Sequence, residues 1–287
     1  AGLAVAAALG IRVLEVPSAP DAEDDLAFVA RLPAYDDNIA GRDFRAAAER
    51  FARAGVAAVP EPANGTGRRP RPDERLEQVI RTGWPPTDAE LAAWLDRVFA
   101  APTAPDELPW HVAAAAAAAA PVGVFEPPNL VSTAANAAAG LDNARRMAAA
   151  LLARGLQRQA DGDPGAFPPA FKTALALSQT LRNGTGVMAL LTGVEVEQLA
   201  LVAADRWLER YTGPAEPLRA LARAIERRDT RGDLDPAPHY LADRYVLREQ
   251  LRAPAQWFAT SLSPTGEPDD QSASTADLIA FAWAVPW

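Results

Sequence analysis

The sequence predicts an all-α fold, an irregular α-solenoid-like array of helical hairpins behind an N-terminal apolar anchor segment. Three observations carry this. Apolar residues make up 49% of the 287-residue chain, and most are Ala and Leu rather than Val and Ile. Such side chains lose little rotamer freedom in a helix, whereas β-branched ones lose more. Apolar positions also recur at helical spacing over several long segments, and no alternating strand pattern competes over a comparable length.

The chain opens on AGLAVAAALGIRVLEV, residues 1–16. A membrane span needs about 20 apolar residues, and this run is shorter and interrupted by Arg12. The polar, Pro-containing stretch after it suits the exit from a membrane better than the interior of a bundle. Residues 1–16 are therefore read as an anchor or signal remnant in preference to a buried core helix, and 17–35 as an acidic linker. A helical domain is expected over 36–260, exposed in the periplasm. Residues 261–287 read as a linker followed by the start of a further helix.

Within the domain, Asp36, Asp37 and Asn38 offer N-caps for a helix with Ile39, Phe44, Ala47, Ala48 and Phe51 on one side, ending near Gly55. Residues 59–72 are rich in Pro and Gly without apolar period and read as an exposed loop. A short helix follows from Pro72 to Thr82. Thr87 and Glu90 form a capping box ahead of Leu91, Trp94, Leu95, Val98 and Phe99, a 3.6-residue stripe. The next helix is expected over 105–119, with an eight-alanine run stopped by Pro121, and 121–132 has no element of its own.

Three long segments form the expected core. In 134–160, Leu141, Ala144, Ala148, Leu151, Leu152 and Leu156 share a face. The turn ADGDP offers Asp163 as N-cap and Pro164 at the first helical position of a helix to Leu181, with Phe167, Phe171, Leu175 and Leu177 inward. A third helix begins after Asn183-Gly184 and runs to about Tyr211. Its inner stripe is read as Val187, Leu190, Leu191, Val194, Leu201, Val202 and Leu208, widened by Val196, Leu199 and Trp207. Apolarity over so much of its circumference predicts a central position. Further helices fit 214–228 and 236–251.

The net charge of −9 belongs to the two ends: −5 lies in residues 1–38 and −4 in 263–287. The balanced middle offers no basic stripe, which excludes a nucleic-acid partner as an expectation. Lys172 is the only lysine among 28 basic residues, a bias read as codon usage and not as an arginine-based binding device. The absence of cysteine removes disulfides, thiolate zinc sites and cysteine nucleophiles.

The stretch NARRMAAALLARGLQRQADGDPGAFPPAFKTALALSQTLRNGTGVMALLTGVEVEQLALVAADRWL, residues 143–208, and RTGWPPTDAELAAWLDRVF, residues 81–99, resemble uncharacterised membrane-anchored envelope proteins of planctomycete-like bacteria. In those proteins an N-terminal anchor precedes a tetratricopeptide-like helical domain. The resemblance covers roughly residues 25–260 and implies membrane tethering and an interaction role. True tetratricopeptide repeats have a 34-residue period; here Gly155 and the small residues after it fall out of that register.

Candidate sites are few. Asp233, Asp235, His239 and Asp243 could supply oxygen and nitrogen ligands to a divalent metal, with His239 and Asp243 at i, i+4. The simpler reading makes Asp235 a helix cap before Pro236 and pairs Asp243 with an arginine. His111, the other histidine, is a candidate acid–base group but sits between Trp110 and an alanine helix, where a structural role fits better. Arg182-Asn183-Gly184-Thr185-Gly186 could receive an anion on free amides, yet it lacks the lysine and spacing of a phosphate loop. Glu195, Glu197, Asp205 and Glu209 share one helix without the Glu-x-x-His pairs of a di-iron site. Trp94 and Trp207 fit core faces, whereas Trp283 and Trp287 could contact a partner or a membrane interface.

The expectation is thus a protein without catalytic activity, metal or cofactor, a membrane-tethered scaffold or accessory subunit binding protein partners in a membrane complex. The alternatives are a helical module for a peptide or glycan and a carboxylate-dependent hydrolase.

Overall fold

Alanine-rich helices can approach one another closely, and the chain folds around one such helix. The computed structural model describes residues 38–57, 72–82, 89–101, 107–121, 123–125, 134–183 and 186–229. Among the described residues there are eight α-helices and no strand: α1 (Ile39–Ala57), α2 (Pro72–Thr82), α3 (Ala89–Phe99), α4 (Trp110–Ala117), α5 (Ala134–Ala160), α6 (Phe167–Leu181), α7 (Val187–Glu209) and α8 (Ala215–Asp229). The all-α expectation holds for these residues. The expected helix over 236–251 and the N-terminal anchor lie outside them.

Helix α5 is the hub. It packs against α6, its hairpin partner, and α7, and also receives α1, α2 and α3. Its expected face is the buried one: Leu141, Ala144, Ala148, Leu151, Leu152 and Leu156 are all buried, as is Met147. The turn after it is a Schellman motif. The Asp163 amide donates to the Arg158 carbonyl at 2.8 Å and the Gly162 amide to that of Gln159 at 3.0 Å. Gly162 takes the φ of 93° that such a C′ residue needs.

Asp163 precedes Pro164 as expected, but its side chain makes no cap hydrogen bond. It faces Arg158 at 3.5 Å instead, and Pro164–Ala166 form a single 3-10 turn before α6 starts at Phe167. Pro168 and Pro169 occupy the first turn of α6, where a missing amide costs little. The α4 helix is shorter than the alanine run suggests. Its end tightens into i→i−3 bonds, Ala119 to Ala116 and Ala120 to Ala117, ahead of Pro121.

One expectation about burial fails in part. In α7 two residues of the expected inner stripe face outward, Leu191 at 50% and Leu208 at 45% exposure, with Met188 at 67%. Val187, Leu190, Val194, Leu201 and Val202 are half-buried, and Val196, Leu199 and Trp207, read as widening the stripe, are buried. The buried face is Ala189, Gly193, Val196, Glu197, Leu199, Ala200, Ala203, Ala204 and Trp207. Close approach decides this. The Ser178 hydroxyl donates to the Gly193 carbonyl at 2.7 Å, and a Cβ on Gly193 would lie 2.5 Å from Arg182 Cγ. Helix axes come this near only where the contact residues are small, so α7 buries Gly193 and its alanines together with Val196, Leu199 and Trp207 and leaves Met188, Leu191 and Leu208 at the surface. By length and composition α7 could cross a membrane, but 44% of its apolar window is buried in the bundle.

Candidate functional site

The described surface has a groove of about 400 Å³ over α6. Ala40 and Phe44 of α1 and Ala117, Ala118 and Ala120 at the end of α4 line one side, with Ala220, Arg223 and Ala224 of α8 also lining it. Lys172, Leu175, Ala176, Gln179 and Thr180 of α6 complete the lining. Each helix contributes these positions because its larger apolar residues are used elsewhere: Phe51 of α1 packs edge-on against Trp110 at 5.0 Å, and Leu221 of α8 is buried. The lining carries two cations and no acid, histidine, serine or cysteine. Chemically it offers two cations, the Thr180 hydroxyl and the Gln179 amide, with no carboxylate or histidine beside them.

A smaller recess of about 110 Å³ lies where α2, α5 and α7 end, lined by Thr82, Leu156, Gln159, Arg206, Glu209 and Arg210 among others. It contains one carboxylate, and that carboxylate pairs with Arg206 at 2.7 Å. The convergent pair of acids required by the hydrolase reading is absent from both depressions.

The α7 acids are separated. Glu197 is buried and forms an ion pair with Arg182. Glu195 faces Arg145 at 3.8 Å, and Arg145 also reaches Glu77 and Asp142 at 3.2 Å each, which ties α2, α5 and α7 together. Asp205 is exposed. The Arg182 side chain is thus turned toward α7; of the 182–186 turn, residues 184 and 185 lie outside the described residues.

His111 sits in an aromatic cluster, 5.1 Å from the Phe99 ring and 5.5 Å from Trp110. Trp110 donates through Nε1 to the Val98 carbonyl at 3.0 Å. The buried Nδ1 of His111 has no hydrogen-bond partner among the described residues. Burial holds the imidazole pKa below its ordinary value, and the charge of Arg154 adds to this. Arg154 itself stands over Phe99 at 5.3 Å and pairs with Asp96. His111 lines neither depression, so its position is that of a wedge between rings.

No family model, no curated protein and no solved structure matches this chain.

Trp94 and Trp207 are buried, at 1% and 0% exposure, and Trp207 donates through Nε1 to the Pro164 carbonyl at 3.2 Å. Asp233, Asp235, His239, Asp243, Trp283 and Trp287 lie outside the described residues. Among the described residues no group of three or more His, Asp or Glu side chains is placed to hold a metal. The groove itself was missed in the sequence because it is lined mostly by alanines drawn from four helices. The one available signal was Lys172, the single lysine, on an otherwise uncharged helix.

Proposed function

We propose that this chain is a non-catalytic scaffold or accessory subunit, a helical-hairpin, solenoid-like domain tethered to a membrane by its N-terminal apolar segment and facing the periplasm. Its partners are proteins of a membrane complex. One observation supports the reading: a groove of about 400 Å³ is lined mainly by alanine, with Lys172 and Arg223 in its lining and no carboxylate or histidine. Binding is what such a lining supports. A glycan site would call for aromatic stacking faces and a set of convergent polar groups. Here the only aromatic ring is that of Phe44, which is buried.

The test is gentle detergent extraction of the full chain from its native membrane, followed by size exclusion and mass spectrometry of what travels with it. A stoichiometric complex is expected. Recovery of the chain alone, uniformly monomeric, would overturn the reading.

A further inference from the structure

We propose that the groove over α6 receives an amphipathic helix from a partner protein, with an apolar edge flanked by carboxylates. This rests on the scaffold reading and specifies the partner's chemistry.

Shape supplies the first argument. Seven of the thirteen lining residues are alanine, and Phe44 and Leu175 are buried. Two helices reach an axial separation of about 8–10 Å according to the size of the side chains between them, so a slot walled by alanines admits helix backbone. A helix entering such a slot presents residues at i, i+3/i+4 and i+7 to it, and about 400 Å³ of space is there to take them.

Charge supplies the second. Lys172 and Arg223 line the same slot and make no ion pair with any described residue. Among the described residues, the only side-chain hydrogen bond of Arg223 is from Nε to the Arg219 carbonyl of its own helix, at 3.2 Å. Two exposed cations beside a low-dielectric apolar wall, with no acid in the lining to balance them, set a local potential that favours carboxylates and disfavours amines. Gln179 adds a neutral amide able to donate or accept. An occupant that answers all of these is apolar on one edge and acidic on its flanks.

The test uses the full chain and two synthetic helical peptides with the same Leu/Ala face, one flanked by Glu and its twin by Lys. Binding is read by fluorescence anisotropy of the labelled peptides at low salt. The Glu peptide is expected to bind about tenfold tighter than its twin, the sum of two exposed charge pairs. Lys172→Glu with Arg223→Glu reverses the preference, and Ala176→Trp, which fills the slot, abolishes binding of both. Both charge positions are exposed, so the reversed chain keeps its fold, which circular dichroism verifies. Equal affinity for the two peptides, or a preference that survives charge reversal, overturns the proposal.

A photo-crosslinking side chain in place of Ala220, activated in native membranes, supplies an independent readout. The adduct is expected on an acid-flanked helical segment of another protein. An adduct on residues 230–287 of this chain, on a second copy, or on lipid overturns the proposal. A membrane complex that persists with Ala176→Trp also overturns it while leaving the scaffold reading intact. Peptide binding with the expected preference but no complex from the membrane sinks the scaffold reading alone.

Discussion

Asn38 and Val124 exchange two hydrogen bonds across 86 positions of sequence. The Asn38 amide donates to the Val124 carbonyl, and the Val124 N–H donates back to Asn38 Oδ1, each at 2.8 Å. The side chain thereby imitates the edge of another backbone. It satisfies both polar groups of a residue in an irregular segment that is itself buried. The approach is tight enough that a Cβ on Gly41 would overlap the Val124 carbonyl and one on Gly123 would overlap Asn38 Oδ1. The neighbouring Phe125 amide donates to the Thr180 carbonyl at 3.2 Å. Residues 123–125 thus join the start of α1 to the end of α6, beside the groove.

Removing this clasp leaves a buried donor and a buried acceptor unmet, each costing about 1–3 kcal/mol. Asn38→Ala is expected to lower the unfolding free energy of the full chain by roughly 2–4 kcal/mol, measured by urea denaturation. A loss under about 0.5 kcal/mol, the level of an ordinary surface change, would show that water serves Val124 equally well.

The Arg182–Glu197 pair makes a second prediction. Glu197 is 7% exposed and Arg182 19%, so breaking the pair from one side leaves a largely desolvated charge. Glu197→Leu or Arg182→Met alone is expected to cost about 3–5 kcal/mol, while the double variant recovers most of it. Additive single effects in the double-mutant cycle would refute the coupling.

Acid should weaken the fold through His111. Burial first, and Arg154 second, lower its native pKa. The unfolded chain, near about 6.5, therefore binds more protons than the native state below that value. Stability due to neutral His111 is complete above about pH 6.5 and declines as pH falls toward the lowered native value. Urea midpoints measured across this range should drop in the parent chain and drop less in His111→Phe. Identical slopes would remove His111 as the cause.

The two faces of α7 should respond oppositely to size. Leu191→Ser, at a position 50% exposed, is expected to change stability by less than about 0.5 kcal/mol. Ala200→Leu, at a fully buried position, should cost about 1–3 kcal/mol or more through overpacking. Thermal melts of the two variants decide between the buried faces, and the reverse ranking would restore the stripe expected from hydrophobicity.

Much of the fold was legible along the chain. Helix α5 has the expected bounds of 134–160, and its inward face follows directly from Leu spacing, because there the largest apolar residues are also the buried ones. In α1 the same reasoning placed Phe44, Ala47, Ala48 and Phe51 correctly, while Ile39 is 43% exposed at the helix start. Of the candidate sites, the core roles of Trp94 and Trp207 were readable from their helix faces. The groove was not, because alanine carries little periodic signal and its lining comes from four separate helices.

What the sequence determined by itself was helix: the composition, the spacing and the breakers at Pro121, Gly162 and Asn183 are local properties, and helix formation answers to local energetics. Only the tertiary structure decided which face of each helix turns inward and which loop is held. Gly193 against Ser178 fixed the side from which α7 approaches α6, and Asn38 reached Val124 through a loop without periodic pattern. Both depend on the distance between segments far apart in the chain, and at that distance the volume of a single Cβ outweighs a hydrophobic stripe.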